Sequence, residues 1–72
     1  MKHIEVFKTN VHKKSSAQKV AKQIALLQPH CAVYFDIEDR DRVLIIESDS
    51  TIDANSVIAL LQKHNVSCEI LN

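Results

Sequence analysis

The chain has 72 residues, 46% of them apolar and 25% charged, which is the balance of an ordinary globular protein with one modest core. Nine basic and nine acidic residues cancel, so no net field attracts the chain to nucleic acid or to an anionic membrane. No apolar run approaches the roughly 18 residues of a membrane span, and no signal-like apolar stretch follows Met1, so we expect one cytosolic domain over residues 1–72.

A strand is predicted from Ile4 to Thr9, where β-branched and aromatic residues are concentrated. Its buried face stays ambiguous, because Ile4 and Val6 alternate against Phe7 and Val11. The pattern predicts a strand without predicting which of its two faces meets the core.

An amphipathic helix follows. Ser15 is placed to cap it, and Gln18, three residues later, completes a capping box. Pro29 is expected to end it. The predicted buried stripe consists of apolar residues at helical spacing: Ala17, Val20, Ala21, Ile24 and Leu27.

Two further strands are predicted in the middle of the chain. The first is half-buried, with inward residues that alternate with outward ones: Cys31, Val33, Phe35 and Ile37. A polar turn from Glu38 to Asp41 leads to a strand from Val43 to Ile46. The near-continuous apolar character of this last strand predicts a central position in the sheet.

The last third of the chain predicts a second helix and a final strand. Asp53 is placed to cap the helix, with Ile52 and Val57 as a hydrophobic staple, and Asn65 is expected to end it in a left-handed conformation. The predicted buried stripe is Ala54, Val57, Ile58 and Leu61. The inward residues of the final strand are Val66, Cys68 and Ile70.

The predicted element order is βαββαβ. Right-handed crossovers then place the first and third strands centrally in a four-stranded antiparallel sheet, with both helices on one face. The predicted fold class is therefore α+β, with a ferredoxin-like arrangement.

The loop between the first strand and the first helix is the place where such a fold usually keeps its chemistry. From Asn10 to Ser16 it has no glycine to cradle a phosphate and no paired cysteines for a metal or a redox reaction. The chain as a whole contains no glycine. Its cysteines, Cys31 and Cys68, are far apart in apolar surroundings, so we expect reduced and largely buried thiols.

Short motifs accompany this element order: Asn10-Val11-His12 before the helix, Val20 within it, Pro29-His30-Cys31, Asp36-Ile37-Glu38 and Lys63-His64-Asn65-Val66. With them the chain resembles, over nearly its whole length, the heavy-metal-associated domain of copper chaperones and metal-transport ATPases. The resemblance implies the same ferredoxin-like fold. In that family a Met-x-Cys-x-x-Cys motif follows the first strand.

The departures from this family fall on its metal-binding motif. Val11 stands at the methionine, Lys13 at the first cysteine, Ser16 at the second cysteine and Asn65 at a later glycine. Two thiolates at the family's spacing hold Cu(I), whereas an ammonium group repels a cation. We therefore expect no metal at Lys13 and Ser16, and no cofactor.

The alternative is weak Zn, Cu or Ni binding or trafficking through His12 and His64, with Cys68 as an optional third ligand. Imidazole and thiolate suit these metals, but a closed structural zinc site needs four ligands. The fold is expected to gather several polar residues at one end: His12, Lys13, Lys14, Asp39, Asp41, His64 and Asn65. Cys68 shares the parity of the inward residues of its strand, which favours burial instead of ligation.

Other classes of function find little support in the sequence. Ser15 and Ser16 suit helix capping better than nucleophilic attack, so no catalytic residue is predicted and the chain is not expected to be an enzyme. The acidic turn lacks the glycine of a calcium loop, and a basic, aromatic RNA-binding surface is missing. No nucleic-acid or membrane partner is expected.

The leading hypothesis is a non-enzymatic protein-interaction or regulatory module of the cytosol. The partner would be another protein or a second copy of the chain, bound through the open sheet face or the loop end. We expect the open face to carry Tyr34, Leu44, Ile46 and Leu71.

Overall fold

A computed structural model describes residues 2–71 as six elements in the predicted βαββαβ order. They are β1 (His3–Thr9), α1 (Lys14–Leu27), β2 (Ala32–Asp36), β3 (Val43–Ser48), α2 (Ala54–Lys63) and β4 (Cys68–Ile70). The four strands form one antiparallel sheet in the order β2-β3-β1-β4. The α+β class and the central positions of the first and third strands are confirmed.

The core lies between the sheet and both helices. Phe7 of β1, with Leu44 and Ile46 of β3, belongs to one hydrophobic cluster with residues of the two helices: Val20, Ile24, Val57 and Leu61. Since Phe7 pairs with Leu44, these strand residues share one face of the sheet. Both helices therefore cover that face. Within residues 2–71, neither helix combines the length and the apolar character that crossing a membrane requires.

The structure resolves the ambiguous face of β1. Phe7 is fully buried and Thr9 is also buried, whereas Ile4 is 55% exposed and Val6 is half-buried on the other side of the strand. Phe7 therefore points toward the helices, and Ile4 and Val6 belong to the open face.

The prediction that Leu44 and Ile46 of β3 lie on the open face is wrong. Leu44 and Ile46 are fully buried, and Val43 and Ile45 occupy the outward positions instead. The reason is the pairing of Leu44 with Phe7, which places Leu44 on the helix-covered side and shifts its neighbours to the other. An almost continuous apolar run carries no alternation from which to predict this choice.

Two predictions for α1 are also wrong. The helix begins one residue before Ser15, so Lys13 takes the N-cap position, and it makes no side-chain capping hydrogen bond. The amide of Ala17 donates to the Lys13 carbonyl at 3.0 Å, which closes the first turn through the backbone alone. At the other end, Leu27 is 47% exposed because the last turn extends beyond the hydrophobic cluster to the rim of a surface groove.

The start of α2 agrees with the prediction. One carboxylate oxygen of Asp53 accepts the amide of Ser56 at 3.1 Å, and the other accepts the Ser56 hydroxyl at 2.6 Å. The hydrogen bond from the Ser56 hydroxyl has the larger effect and the bond from the Ser56 amide the smaller one, and both hold the pKa of the Asp53 carboxyl below its ordinary value. Ile52 and Val57 are both buried, as a staple requires. Asn65 has a φ of 62°, the predicted left-handed terminator.

Replacing Asp53 with alanine is expected to lower the thermal midpoint by roughly 5 °C at neutral pH, because the cap of α2 is lost. The matched control is Ser15→Ala, which removes a hydroxyl at the start of α1 that makes no cap. Its midpoint is expected to stay close to that of the wild type. Thermal unfolding followed by circular dichroism measures both, and equal effects of the two substitutions would contradict the assignment.

Candidate functional site

Hydrogen bonds bring three loops together at one end of the sheet. The Thr9 hydroxyl donates to the Arg42 carbonyl at 2.6 Å, and the Thr9 amide donates to the Asp41 carbonyl at 3.2 Å. On the other side, the amide of Ser67 donates to the Asn10 side-chain oxygen at 3.1 Å. These bonds join the end of β1 to the β2–β3 turn, and the β1–α1 loop to the α2–β4 loop.

The β2–β3 turn contains a feature that sequence reasoning missed. Arg42 has a φ of 49°, in the left-handed region that glycine usually occupies. The turn is held by the Arg42 amide, which donates to the Asp39 carbonyl at 3.0 Å, and by the Arg42 guanidinium, which donates to the Ile37 carbonyl. A chain without glycine must use an ordinary residue here, but no local signal identified which one.

A cleft of about 400 Å³ lies at this end, between the β1–α1 loop, the first turns of α1 and the α2–β4 loop. We call it the loop-end cleft. Its polar and charged lining consists of Asn10, His12, Lys13, Ser16, Lys19, His64 and Asn65, with Val11, Val20 and Val66 beneath. The lining contains two lysines and two histidines but no carboxylate and no thiol.

The start of α1 adds positive potential to the loop-end cleft. Lys13 and Ser16 line the cleft, the first turn of the helix has no acidic residue, and no side chain caps it. Helix N-termini carry a partial positive charge from amides without intrahelical partners. With Lys13 and Lys19 beside them, these amides give the cleft a cationic character that nothing in its own lining neutralises.

Asp39 and Asp41, the acidic residues predicted to gather at this end, do not line the cleft. Lys14 shares a different groove with Asp36 and Glu38, on the β2 side of α1. Asp41 is 4.0 Å from the Lys8 ammonium, in a pair that is partly exposed on both sides. Carboxylates therefore lie near Lys14 and Lys8, whereas Lys13 lines a cleft that contains no carboxylate.

The three candidate metal ligands are divided between two places. His12 and His64 both line the loop-end cleft, and Nδ1 of His12 lies 3.1 Å from the Asn10 carbonyl, which leaves Nε2 for another partner. Cys68 lies outside this lining, paired with Thr9 in the sheet and packed against the core. Within residues 2–71, no group of three or more His, Cys, Asp or Glu side chains is arranged to hold a metal ion.

The chemistry of Cys68 also disfavours metal binding. Burial, with a smaller contribution from the charge of Glu69, raises the pKa of its thiol to about 11. A metal requires the thiolate, which this environment opposes. The other thiol, Cys31, is half-buried and lies 3.5 Å from the side-chain oxygen of Gln28, near the opposite end of α1. Both thiols are free, but each is half-buried and not largely buried as predicted.

Comparisons with known proteins add no family to this description. A scan of protein-family models, a search of curated proteins and a search of solved structures each found no match to this chain. The resemblance to the heavy-metal-associated domain thus stays a prediction from sequence motifs. The charges and geometry of the loop-end cleft are the observations from which a function is argued.

Proposed function

We propose that this chain is a ferredoxin-like, heavy-metal-associated-like domain without the two-cysteine site, and that it acts in the cytosol as a non-enzymatic protein-interaction or regulatory module. Its loop-end cleft binds an acidic segment of a partner protein. The observation that carries the proposal is the lining of the cleft, which has Lys13, Lys19, His12 and His64 and no carboxylate.

Electrostatics favours an anionic occupant for this cleft. Lys13 and Lys19 are exposed and line the cleft together with residues of the uncapped start of α1. A carboxylate entering the cleft meets two ammonium groups and free amide donors, whereas a divalent cation meets repulsion from both lysines. Charge pairs at this exposure contribute about 0.2–1 kcal/mol each, so two pairs support only weak, salt-sensitive binding, with a dissociation constant of about 1 mM or higher for a short peptide.

Lys13 and Lys14 provide a matched pair for testing the proposal. They are adjacent and both exposed, but Lys13 lines the cleft and Lys14 lies in the groove with Asp36 and Glu38. Lys13→Glu is expected to weaken binding of a fluorescein-labelled hexaglutamate peptide by roughly three- to tenfold, and Lys14→Glu by less than about twofold. Fluorescence anisotropy at low salt measures both variants. Equal losses would show general charge attraction and contradict a cleft-specific site.

A second candidate is weak transition-metal binding through His12 and His64. The observation in its favour is that both imidazoles line the same cleft. Cys68 lies outside it, so the site would have two protein ligands and would leave the remaining positions to water. Titration with Zn(II), Cu(II) and Ni(II), repeated on the His12→Ala/His64→Ala double variant, decides this candidate. Unchanged affinity in the double variant would eliminate it.

A further inference from the structure

The sheet has a second surface on the side away from the helices. A row of apolar side chains crosses β2, β3 and β1 there and ends at Leu71, directly after β4. Tyr34 pairs with Ile45, Ile45 pairs with Val6, and the Leu71 amide donates to the Val6 carbonyl at 2.8 Å. Ile4 extends the row on β1. Tyr34 and Ile4 are 53% and 55% exposed, so an apolar centre on this open face meets solvent.

The charges around this centre have a two-fold relation. Glu47 lies two residues from Ile45 on β3, and Lys8 lies two residues from Val6 on β1, in the opposite direction along the sheet. Because Ile45 and Val6 are paired, Glu47 and Lys8 are equally far from the midpoint of that pair, on opposite sides of it. If a second copy is turned over about the axis that lies in the plane of this face, passes through that midpoint and is perpendicular to the Glu47–Lys8 line, each Glu47 comes opposite the other copy's Lys8.

Among residues 2–71, Glu47 has no cationic partner. Its neighbours on either side in the sheet are Ile4 and Ala32, both apolar. The one ion pair within residues 2–71 joins Lys8 to Asp41 at 4.0 Å, and Glu69 lies opposite Lys8 on β4. The half-buried Glu47 carboxylate thus lies on an apolar surface, while Lys8 is partly exposed at the far end of that surface.

From this register we propose that the open face binds a second copy of the chain, in a symmetric dimer with Tyr34, Ile45, Val6 and Leu71 at its centre and two reciprocal Glu47–Lys8 pairs at its edges. An isologous interface requires this kind of self-complementarity. Two sheets packed face to face lie about 10 Å apart, within reach of Lys and Glu side chains.

The size of the face sets the expected strength of the dimer. The sheet is four strands wide, at about 4.8 Å per strand, and about five residues long, at about 3.4 Å per residue. These dimensions give a contact of roughly 19 by 17 Å. A contact of roughly 320 Å² per copy is well below the about 800 Å² per partner of a standard specific interface, so the association is expected to be weak and transient. We therefore expect a reversible dimer with a dissociation constant of about 100 µM.

Charge reversal at either position tests the pairing. Glu47→Lys places two cations opposite each other across the interface, and Lys8→Glu places two carboxylates opposite each other. Each variant alone is expected to dimerise at least about tenfold more weakly than the wild type. In an equimolar mixture of the two variants, every pair across the interface has opposite charges again, so the mixture is expected to form a heterodimer of nearly wild-type affinity.

Sedimentation equilibrium from about 10 µM to about 1 mM protein measures all of these states. Lys13→Glu, which has the same charge change in the loop-end cleft, is the control and is expected to dimerise like the wild type. Circular dichroism checks that each variant folds. If a charge-reversal variant does not fold, the neutral variant at the same position, Glu47→Gln or Lys8→Gln, is used in its place.

A wild type that stays monomeric at the highest concentration would overturn the dimer and leave the open face to another partner. A mixture that associates no better than its separate components would overturn it as well. Because the experiment does not involve the loop-end cleft, its failure is distinguishable from failure of the proposed function.

Discussion

Replacing Phe7 with alanine is expected to lower the free energy of unfolding by about 3–5 kcal/mol, the largest stability effect in the chain. The ring is fully buried on the central strand β1 and belongs to the cluster that joins both helices to the sheet. A domain of 72 residues has a total stability of about 4–11 kcal/mol. Losing the ring therefore leaves a marginally folded protein.

Urea unfolding followed by circular dichroism measures this loss. The control is Ile4→Ala on the same strand, because Ile4 is 55% exposed on the open face. Its cost is expected to be below about 1 kcal/mol. Comparable costs at the two positions would mean that the assigned buried face of β1 is wrong.

Alkylation of Cys68 is expected to be roughly 10- to 100-fold slower in the folded protein than in the unfolded chain near pH 8. Burial raises the pKa of this thiol to about 11, from the ordinary value of 9.0, so the reactive thiolate is much rarer. The higher nucleophilicity of a high-pKa thiolate offsets part of that loss. The measurement uses iodoacetamide and mass spectrometry on a Cys31→Ser variant, with and without urea.

The same pKa shift determines how stability depends on pH. The folded protein holds the Cys68 proton more tightly than the unfolded chain does, so the unfolded chain ionises first as pH rises. Stability is therefore expected to fall between about pH 9 and pH 11, and less so in Cys68→Ser. Fast alkylation of the folded protein at pH 8 would contradict the shift and return Cys68 to the set of possible metal ligands.

The parts of the fold that follow from local signals were predictable. Asp53 caps α2 because its carboxylate reaches an amide three residues away, and Asn65 tolerates the left-handed conformation better than most residues. The apolar run of β3 indicated its central position. Each of these signals lies within a few residues of the feature that it predicts.

The parts that depend on pairing between distant segments were not predictable. Leu44 and Ile46 are buried because β3 pairs with β1 in a register that places Leu44 opposite Phe7. Nothing within either strand specifies that register. Likewise, Ser15 satisfies the local pattern of a cap, yet the helix begins before it, at Lys14. Tertiary packing and the path of the preceding loop decided both cases.

The candidate site was predictable to a similar extent. The topology indicated that the loops of His12 and His64 share one end of the sheet, and both residues line the loop-end cleft. The separation of the acidic turn from Lys13 was not predictable, because it depends on which side of α1 each side chain faces. That separation is what makes the cleft cationic.

The function proposed for this chain is the binding of an acidic protein segment in the loop-end cleft. Nuclear magnetic resonance titration of the ¹⁵N-labelled protein with hexaglutamate peptide tests it most directly. We expect the largest amide shift changes at the cleft residues near Lys13 and His64, with a titration midpoint roughly three- to tenfold higher in Lys13→Glu and nearly unchanged in Lys14→Glu. If the amide shift changes are spread evenly over all surface lysines, or if none is seen at low salt, binding in the cleft is contradicted.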